Sequence, residues 1–398
     1  MEAHEEKIPT AEQTIKPKKK KKKKRGSTQK TVAIVLASLA GLLVLAAVGA
    51  WGFLKYTSKL REGMFSDRSS SEMQSIREQR QKAGGQKTEE SGEQAETPRQ
   101  TLKRTDDELA EADWIDEEGN AYRYRDDVLT ILIMGIDNMS DPSLWAEGIV
   151  SNGGNADVIA LVTLNTVTKE FSILYIPRDT MAELLMLDPE GNYLDTVYNN
   201  ISASHSYGDG GALSCELTAE AVSNLLFGVP IQRYAALNME SLPVVNQLLG
   251  GLEVTFPDDY SWLDYSFQKG ATVRLTDRQL NRLIRYRDKS EVEGANQRGL
   301  RDLKLVLNAM LRQVKGMIRQ VPGSALTLYR KLEPQLTTNL SVDEVSYLIQ
   351  MIDHFRIDDK TVVSLSGTTR KGEKYAEFYP DEDWLRDYVI ENYCIKLN

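Results

Sequence analysis

The sequence predicts an α/β protein, a central mixed β-sheet flanked by helices, preceded by a single transmembrane helix. Three observations carry that reading. Apolar runs of strand length alternate with segments whose apolar residues recur at helical spacing. A stretch of 24 residues without a charge, TVAIVLASLAGLLVLAAVGAWGFL at 31–54, precedes them. A lysine-rich run, KPKKKKKKKRG at 16–26, stands just before that stretch.

Residues 1–30 read as a cytoplasmic tail and 31–54 as the membrane span. A bilayer core needs roughly 20 apolar residues of helix, and a cleaved signal has an apolar region of only about 7–15. A lysine run beside a span fits the positive-inside rule, so the chain is expected in the cell membrane, single-pass, as a signal-anchor with everything after residue 54 outside the cytoplasm. Residues 55–125 are polar and poor in aliphatics. They read as an extracytoplasmic spacer, flexible or partly helical, because they hold too little apolar surface to offset chain entropy.

A folded domain is predicted over 126–396. VLTILIMGID (128–137), DVIALVTLN (157–165) and FSILYI (171–176) read as buried strands, with a Gly/Asn/Ser-rich loop at 138–156 and a turn TVTKE between the last two. ALSCELTAEAVSNLLFG (212–228) reads as a helix ending at Gly228. QRYAALN and LEVTFP read as strands around a short helix in MESLPVVNQLLGG. A long helix is expected from Asn296 to Ile318, with Leu300, Leu303, Leu307, Met310, Leu311, Val314 and Ile318 as its core stripe. SVDEVSYLIQMIDHF opens with Ser341 and has Glu344 three residues on, a capping-box pattern. The strand TVVSLSG and a helix near 382–392 close the domain.

The net charge of −9 hides an uneven distribution. Residues 1–55 hold 12 Lys+Arg and 4 Asp+Glu, a balance of +8, and leave 37 and 54, a balance of −17, to the rest. So acidic a domain argues against sequence-tolerant nucleic-acid binding. Two cysteines, Cys215 and Cys394, and three histidines exclude a four-thiolate zinc site and a His-rich metal centre. Pairing of the two cysteines is left open.

Most charges are scattered, but four groups stand where an apolar element ends. Asp137 closes ILIMGID, Asp157 opens the next strand, Arg178 and Asp179 close FSILYIPRD, and a basic run supplies Arg285, Arg287, Arg298 and Arg301. Carboxylates at strand ends suit Mg²⁺, which takes one or two and leaves its other positions to water and phosphate oxygens. The guanidinium fork suits phosphate. Arg285 and Arg287 point the same way only if the chain becomes extended there, whereas Arg298 and Arg301 lie one turn apart at the start of the long helix. Taken singly, Asp137 reads more readily as a turn or cap residue and Arg178–Asp179 as a local ion pair, while the arginines equally fit a solvated helix face.

The order of these blocks, ILIMGIDN, ADVIALVTLNTVTKEFSILYIPRDT, HSYGDGGALSCELTAEAVSNLLFGVPIQRYAALNMESLPVVNQLLGGLEVTFP and LIRYRD…NQRGLRDLK, resembles the LytR-CpsA-Psr family from 128 to about 310. That resemblance implies an α/β/α domain with an apolar pocket for a polyprenyl chain. It implies a phosphotransferase of the outer membrane face in Gram-positive-type bacteria. Its substrate is a glycopolymer such as a teichoic acid or capsular polysaccharide, moved from a polyprenyl pyrophosphate carrier onto peptidoglycan during cell wall biogenesis. Asp137 and Asp157 match the Mg²⁺ ligands (Mn²⁺ being the substitute), and Arg178, Arg285, Arg287, Arg298 and Arg301 the pyrophosphate ligands. Of these Arg178, Arg285 and Arg287, with Asp179, are the candidate catalytic residues. Asp179 and Asp157 are also the candidate bases for the acceptor hydroxyl. Two positions depart from the family pattern: Asn155 stands where an arginine is usual, and Asp302 where a glutamine is. They favour the alternative of a relative that binds lipid-linked pyrophosphate or wall polymer without turnover and regulates envelope assembly.

Overall fold

A computed structural model describes residues 59–60, 62–90, 112–116, 118–137, 153–286, 295–321, 323–373 and 375–397. The lysine-rich tail, the predicted membrane span at 31–54, the loop segment 138–152 and Arg287 lie outside the described residues. Among the described residues no helix is long and apolar enough to cross a membrane.

The frame is a six-stranded mixed sheet. Its strands are β1 (Val128–Asp137), β2 (Asn155–Asn165), β3 (Phe171–Ile176), β6 (Arg233–Asn238), β7 (Leu336–Thr338) and β8 (Val362–Ser364); β4 (Met181–Leu187) and β5 (Tyr193–Asn200) form a separate hairpin. The order across the sheet is β7-β6-β1-β2-β3-β8. β6 runs parallel to β1 and β8 parallel to β3, while the β1–β2, β2–β3 and β7–β6 pairs are antiparallel. The C-terminal ends of β1, β3, β6 and β8 therefore meet the start of β2 along one edge, where an α/β sheet gathers its ligands.

Both faces of the sheet are covered, which is why its central strands read as nearly unbroken apolar runs. On one face Leu132, Met134, Ile136, Ile159, Leu161, Leu174 and Ile176 pack with Leu217, Ala221, Val222 and Leu225 of helix α2 (Ala212–Leu225). On the other, Leu129 and Ile131 meet Tyr347 and Met351 at helix α6 (Val342–Gln350). There too, Ala160, Ile173 and Val362 meet Leu300, Leu303 and Leu307 of helix α5 (Ala295–Gln320). The layering is α/β/α, as expected, and each fully buried aliphatic side chain contributes about 1.5–3 kcal/mol.

Two expectations change and one open point is resolved. First, the stripe on α5 divides. Leu300, Leu303 and Leu307 face the sheet, but Met310 and Val314 join a second core beneath α3 (Leu242–Leu248) and α4 (Asp277–Arg285), to which the helix also gives the buried Val306 and Ala309. A helix wedged between two cores needs a wider apolar face than one stripe. Second, part of the stretch read as a spacer packs on the domain. Helix α1 (Ser71–Glu90) and the turn before it bury Met64, Met73 and Ile76, while residues 91–111 lie outside the described residues. The third point settles a question the sequence left open: Cys215 and Cys394 are separate buried thiols, not a disulfide.

Candidate functional site

The carboxylate-bearing edge of the sheet is shaped by one irregularity. Asp137 pairs with Asn155 and Ile136 with Ala156, yet Gly135 pairs with Val158, so Asp157 is the extra residue of a β-bulge. A bulge re-aims a side chain that regular pleating would send to the core face. Cβ addition at Gly153, just before this strand, would fall 2.1 Å from the His205 carbonyl oxygen, so only glycine lets the chain enter here.

Each carboxylate holds an arginine. Asp157 Oδ1 accepts from Arg178 Nη1 at 2.9 Å, and Asp137 Oδ1 accepts from Arg285 Nη2 at 2.8 Å. Both are charge-assisted hydrogen bonds of normal length. Arg178 Nε lies 3.6 Å from Asp179 Oδ1, near enough for attraction but too far for a hydrogen bond. Burial would lower the Arg178 pKa, but the neighbouring carboxylates of Asp157 and Asp179 outweigh it and raise it. Arg178 is thus a permanent cation, and its side chain keeps 34% exposure, open to a ligand.

The segment carrying Arg178 is fastened by its own backbone. Pro177 ends β3, and its carbonyl accepts from Thr180 N at 3.0 Å and Thr180 Oγ1 at 2.6 Å, closing a tight turn across Arg178 and Asp179. The Arg178 carbonyl accepts from Ser202 N, and the Asp179 carbonyl from Phe378 N and Asn200 Nδ2. The two side chains therefore project from a turn with little freedom to move.

Arg285 is the last residue of α4, and Tyr286 after it is already extended. The chain therefore leaves the helix where the sequence suggested, although Arg287 lies outside the described residues. Arg298, in the first turn of α5, sits over the Trp262 ring at 5.4 Å, and Trp262 in turn packs on Tyr286 at 4.8 Å. This cation–π arrangement holds the guanidinium beside Arg285's own loop. A Cβ on Gly299 would lie 2.7 Å from the Tyr175 hydroxyl, which brings the α5 N-terminus against the end of β3. Arg301 is exposed. Asp302 is buried at 6% exposure and hydrogen-bonds Tyr260 in the aromatic cluster.

Asp137, Asp157, Arg178, Asp179, Arg285 and Arg298 thus gather around one edge. Tyr175, Trp262, Tyr286 and Asn200 join them without having been anticipated. The aromatic-rich DDYSWLDYSF at 258–267 was the available signal for Trp262. The buried His205 and Cys215 form no nucleophilic pair. A carbonyl only accepts, so His205 Nδ1 donates to Gly153 O at 2.7 Å and presents its lone-pair Nε2 to Cys215 Sγ at 3.8 Å. Burial lowers the histidine pKa and pushes the thiol up to about 12, leaving both neutral.

Among the described residues no cluster of three or more His, Cys, Asp or Glu is arranged to hold a metal. Mg²⁺ needs only one or two carboxylates. Asp137 and Asp157 each use Oδ1 on an arginine and keep Oδ2 outside those pairs, so the donor chemistry suits a hard divalent cation.

The chain matches the LytR_cpsA_psr family model over residues 80–386. A polyisoprenyl-teichoic acid–peptidoglycan teichoic acid transferase TagU of Halalkalibacterium halodurans is 30% identical over 144 residues, 36% of this chain and 40% of the relative. TagU of Bacillus licheniformis is 27% identical over 224 residues, 55% of this chain and 62% of the relative. TagV of Bacillus subtilis is 26% identical over 266 residues, 63% and 61%. The chain spans less than two thirds of the length of these curated relatives. The crystal structure of B. subtilis TagV shares the fold at a TM-score of 0.50 and 23% identity, over 67% of this chain and 97% of that one.

Proposed function

The chain belongs to the LytR_cpsA_psr family, and we propose that it transfers a glycopolymer of the teichoic-acid class from a polyprenyl pyrophosphate carrier to peptidoglycan. The observation that carries this reading is the pair of strand-end carboxylates, each joined to an arginine, on the C-terminal edge of the sheet. In the reaction the acceptor hydroxyl oxygen forms a bond to the glycopolymer-bearing phosphorus. The bond from that phosphorus to the bridging oxygen breaks, polyprenyl phosphate leaves with the electron pair, and the hydroxyl proton passes to a base or to water.

Such transfer demands positioning and charge neutralisation rather than covalent help. Arg178 and Arg285 bind pyrophosphate oxygens, Arg298 adds a third cation, and the turn at Pro177–Thr180 keeps Arg178 aimed. Arg287 and Arg301 belong to the same basic run. Asp137 and Asp157 would hold Mg²⁺ or Mn²⁺, which when bound supplies further neutralisation of the pyrophosphate. Asp179 orients Arg178, at 3.6 Å from its Nε, and with Asp157 is a candidate base. The apolar run at 31–54 anchors the enzyme in the cell membrane with its lysine-rich tail in the cytoplasm and the catalytic domain outside.

The test is a transfer assay with purified protein, Mg²⁺, a lipid-linked saccharide and peptidoglycan. Wild type is expected to form the phosphodiester product, and Asp137→Ala and Arg178→Ala to abolish it. Activity that survives both substitutions rules the assignment out. Tight lipid binding by a wild type that never transfers would establish the regulatory alternative instead.

A further inference from the structure

A groove of about 540 Å³ runs along the outer face of α4, lined by Pro243, Asp277, Arg278, Asn281, Arg282, Arg285 and Tyr286. The helix is sharply two-sided: Leu280 and Leu283 are buried in the second core, while Arg278, Arg282 and Arg285 recur at i, i+4 and i+7 on one other face. Three arginines on nine residues are conspicuous in a region whose charge balance is −17.

Among the described residues only Arg285 is taken up by a carboxylate, Asp137; the acids nearest Arg278 and Arg282 are held by other partners. Asp277, the one carboxylate lining the groove, accepts from Asn246 Nδ2 at 2.8 Å and Gln247 Nε2 at 3.0 Å, so neutral amides hold it. Asp264, which feels the Arg282 charge, accepts from Ser266 N at 3.1 Å and Ser266 Oγ at 2.7 Å. Arg278 and Arg282 make no ion pair among the described residues. At one end the groove opens on Tyr286, which packs against the half-exposed Trp262. At that end Arg285 belongs to both places, since its Nη2 reaches Asp137.

We propose that this groove is a second subsite, which binds an anionic saccharide: the stretch of sugar-phosphate or carboxylated glycan that continues beyond the reacting phosphate. Guanidinium forks take the anionic groups, Asn281 supplies amide donor and acceptor for hydroxyls, and Tyr286 offers an amphipathic ring face. The direction of the chain, outward past Arg285, rests on the pyrophosphate reading of the neighbouring edge; the groove's preference for anionic sugars does not.

The test uses the full chain and three soluble probes: a glycerol phosphate oligomer, a muramyl-peptide glycan fragment and neutral chitotetraose. In titration calorimetry at low salt, Arg278→Ala/Arg282→Ala is expected to weaken at least one anionic probe about tenfold and to flatten its salt dependence. Chitotetraose should be unaffected. Loss for the glycerol phosphate oligomer assigns the groove to the donor polymer, and loss for the muramyl fragment assigns it to the acceptor. Both arginines are exposed, so the variant keeps its core, and circular dichroism verifies that. Unchanged affinity for both anionic probes, or an equal loss for chitotetraose, overturns the proposal. Arg178→Ala separates the two readings, since it should lose geranyl pyrophosphate binding while keeping the anionic saccharide.

Discussion

Arg178 shows how much one residue depends on its frame. Its guanidinium donates through Nη1 to Asp157, has Nε 3.6 Å from Asp179, and keeps 34% of the side chain exposed for a ligand. Lysine has no fork, so Arg178→Lys cannot hold the carboxylate and a phosphate together. Arg178→Lys is expected to lower the transfer rate by about 10²–10³ in single-turnover kinetics; a lysine variant near wild-type rate contradicts bidentate binding. Asp179 has a different standing, because 3.6 Å to Nε makes it an orienting neighbour rather than a partner. Asp179→Asn should therefore cost less than about tenfold. A loss of about 10² or more, with a pH–rate profile missing its acidic limb, would instead make Asp179 the general base. The four strand-end residues could be picked out from the sequence because each interrupts an apolar run. Tyr175 could not, and the aromatic run around Trp262 marked a cluster but not its role, since what matters about both is a through-space meeting with Gly299 and Arg298.

At the scale of elements, the approach of α5 to β3 decides whether Arg298 reaches the edge. Gly299 lies where a Cβ would press 2.7 Å from the Tyr175 hydroxyl. Gly299→Ala should gain about 1 kcal/mol of helix propensity and lose about 1–3 kcal/mol to overpacking. Tyr175→Phe removes the obstructing oxygen, so the two substitutions should couple by at least about 0.5 kcal/mol in a urea-denaturation double-mutant cycle. Strict additivity would show that the contact carries no strain. β1, β2 and β3 were readable because a strand buried on both faces is apolar throughout. The β4–β5 hairpin was not: YLDTVYNN is half-exposed along its length and lacks clean alternation. The bulge at Asp157 also left no trace in the sequence, since it exists only in the pairing of β2 with β1.

At the scale of the whole molecule, a buried ion pair fastens the segment before α1 to the sheet. Arg233, at the start of β6, and Glu344, in the first turn of α6, are both fully buried and lie 2.9 Å apart. Arg233 also donates to the carbonyls of Gly63 and Ser66, and Arg68 to Glu344. Ser70 and Arg77 add bonds to Glu216 and Glu220 of α2. Burial alone would raise the Glu344 pKa, but the Ser341 N–H and Arg233 outweigh it and hold it below the usual carboxylate range. A depressed folded pKa gives stability that is present above about pH 4.5 and lost as pH falls below it. Glu344→Gln should therefore cost about 3–5 kcal/mol at pH 7 by stranding Arg233. The gap to wild type should narrow in urea titrations taken toward pH 3. A gap that stays constant with pH would show that Glu344 is not ionised in the fold. The sequence identified Ser341 and Glu344 as a capping box, which they are, but the carboxylate's larger role depends on Arg233, 111 residues away.

The central claim is that the two carboxylate–arginine pairs form a pyrophosphate site, and direct binding tests it without requiring a full reaction. Calorimetric titration of geranyl pyrophosphate in the presence of Mg²⁺ should give a measurable affinity for wild type. Arg178→Ala and Arg285→Ala should weaken it about 10–100-fold, while Arg386→Ala, in the helix Glu382–Tyr393 where it pairs with Asp383, leaves it unchanged. Equal affinity across all four proteins would contradict the account.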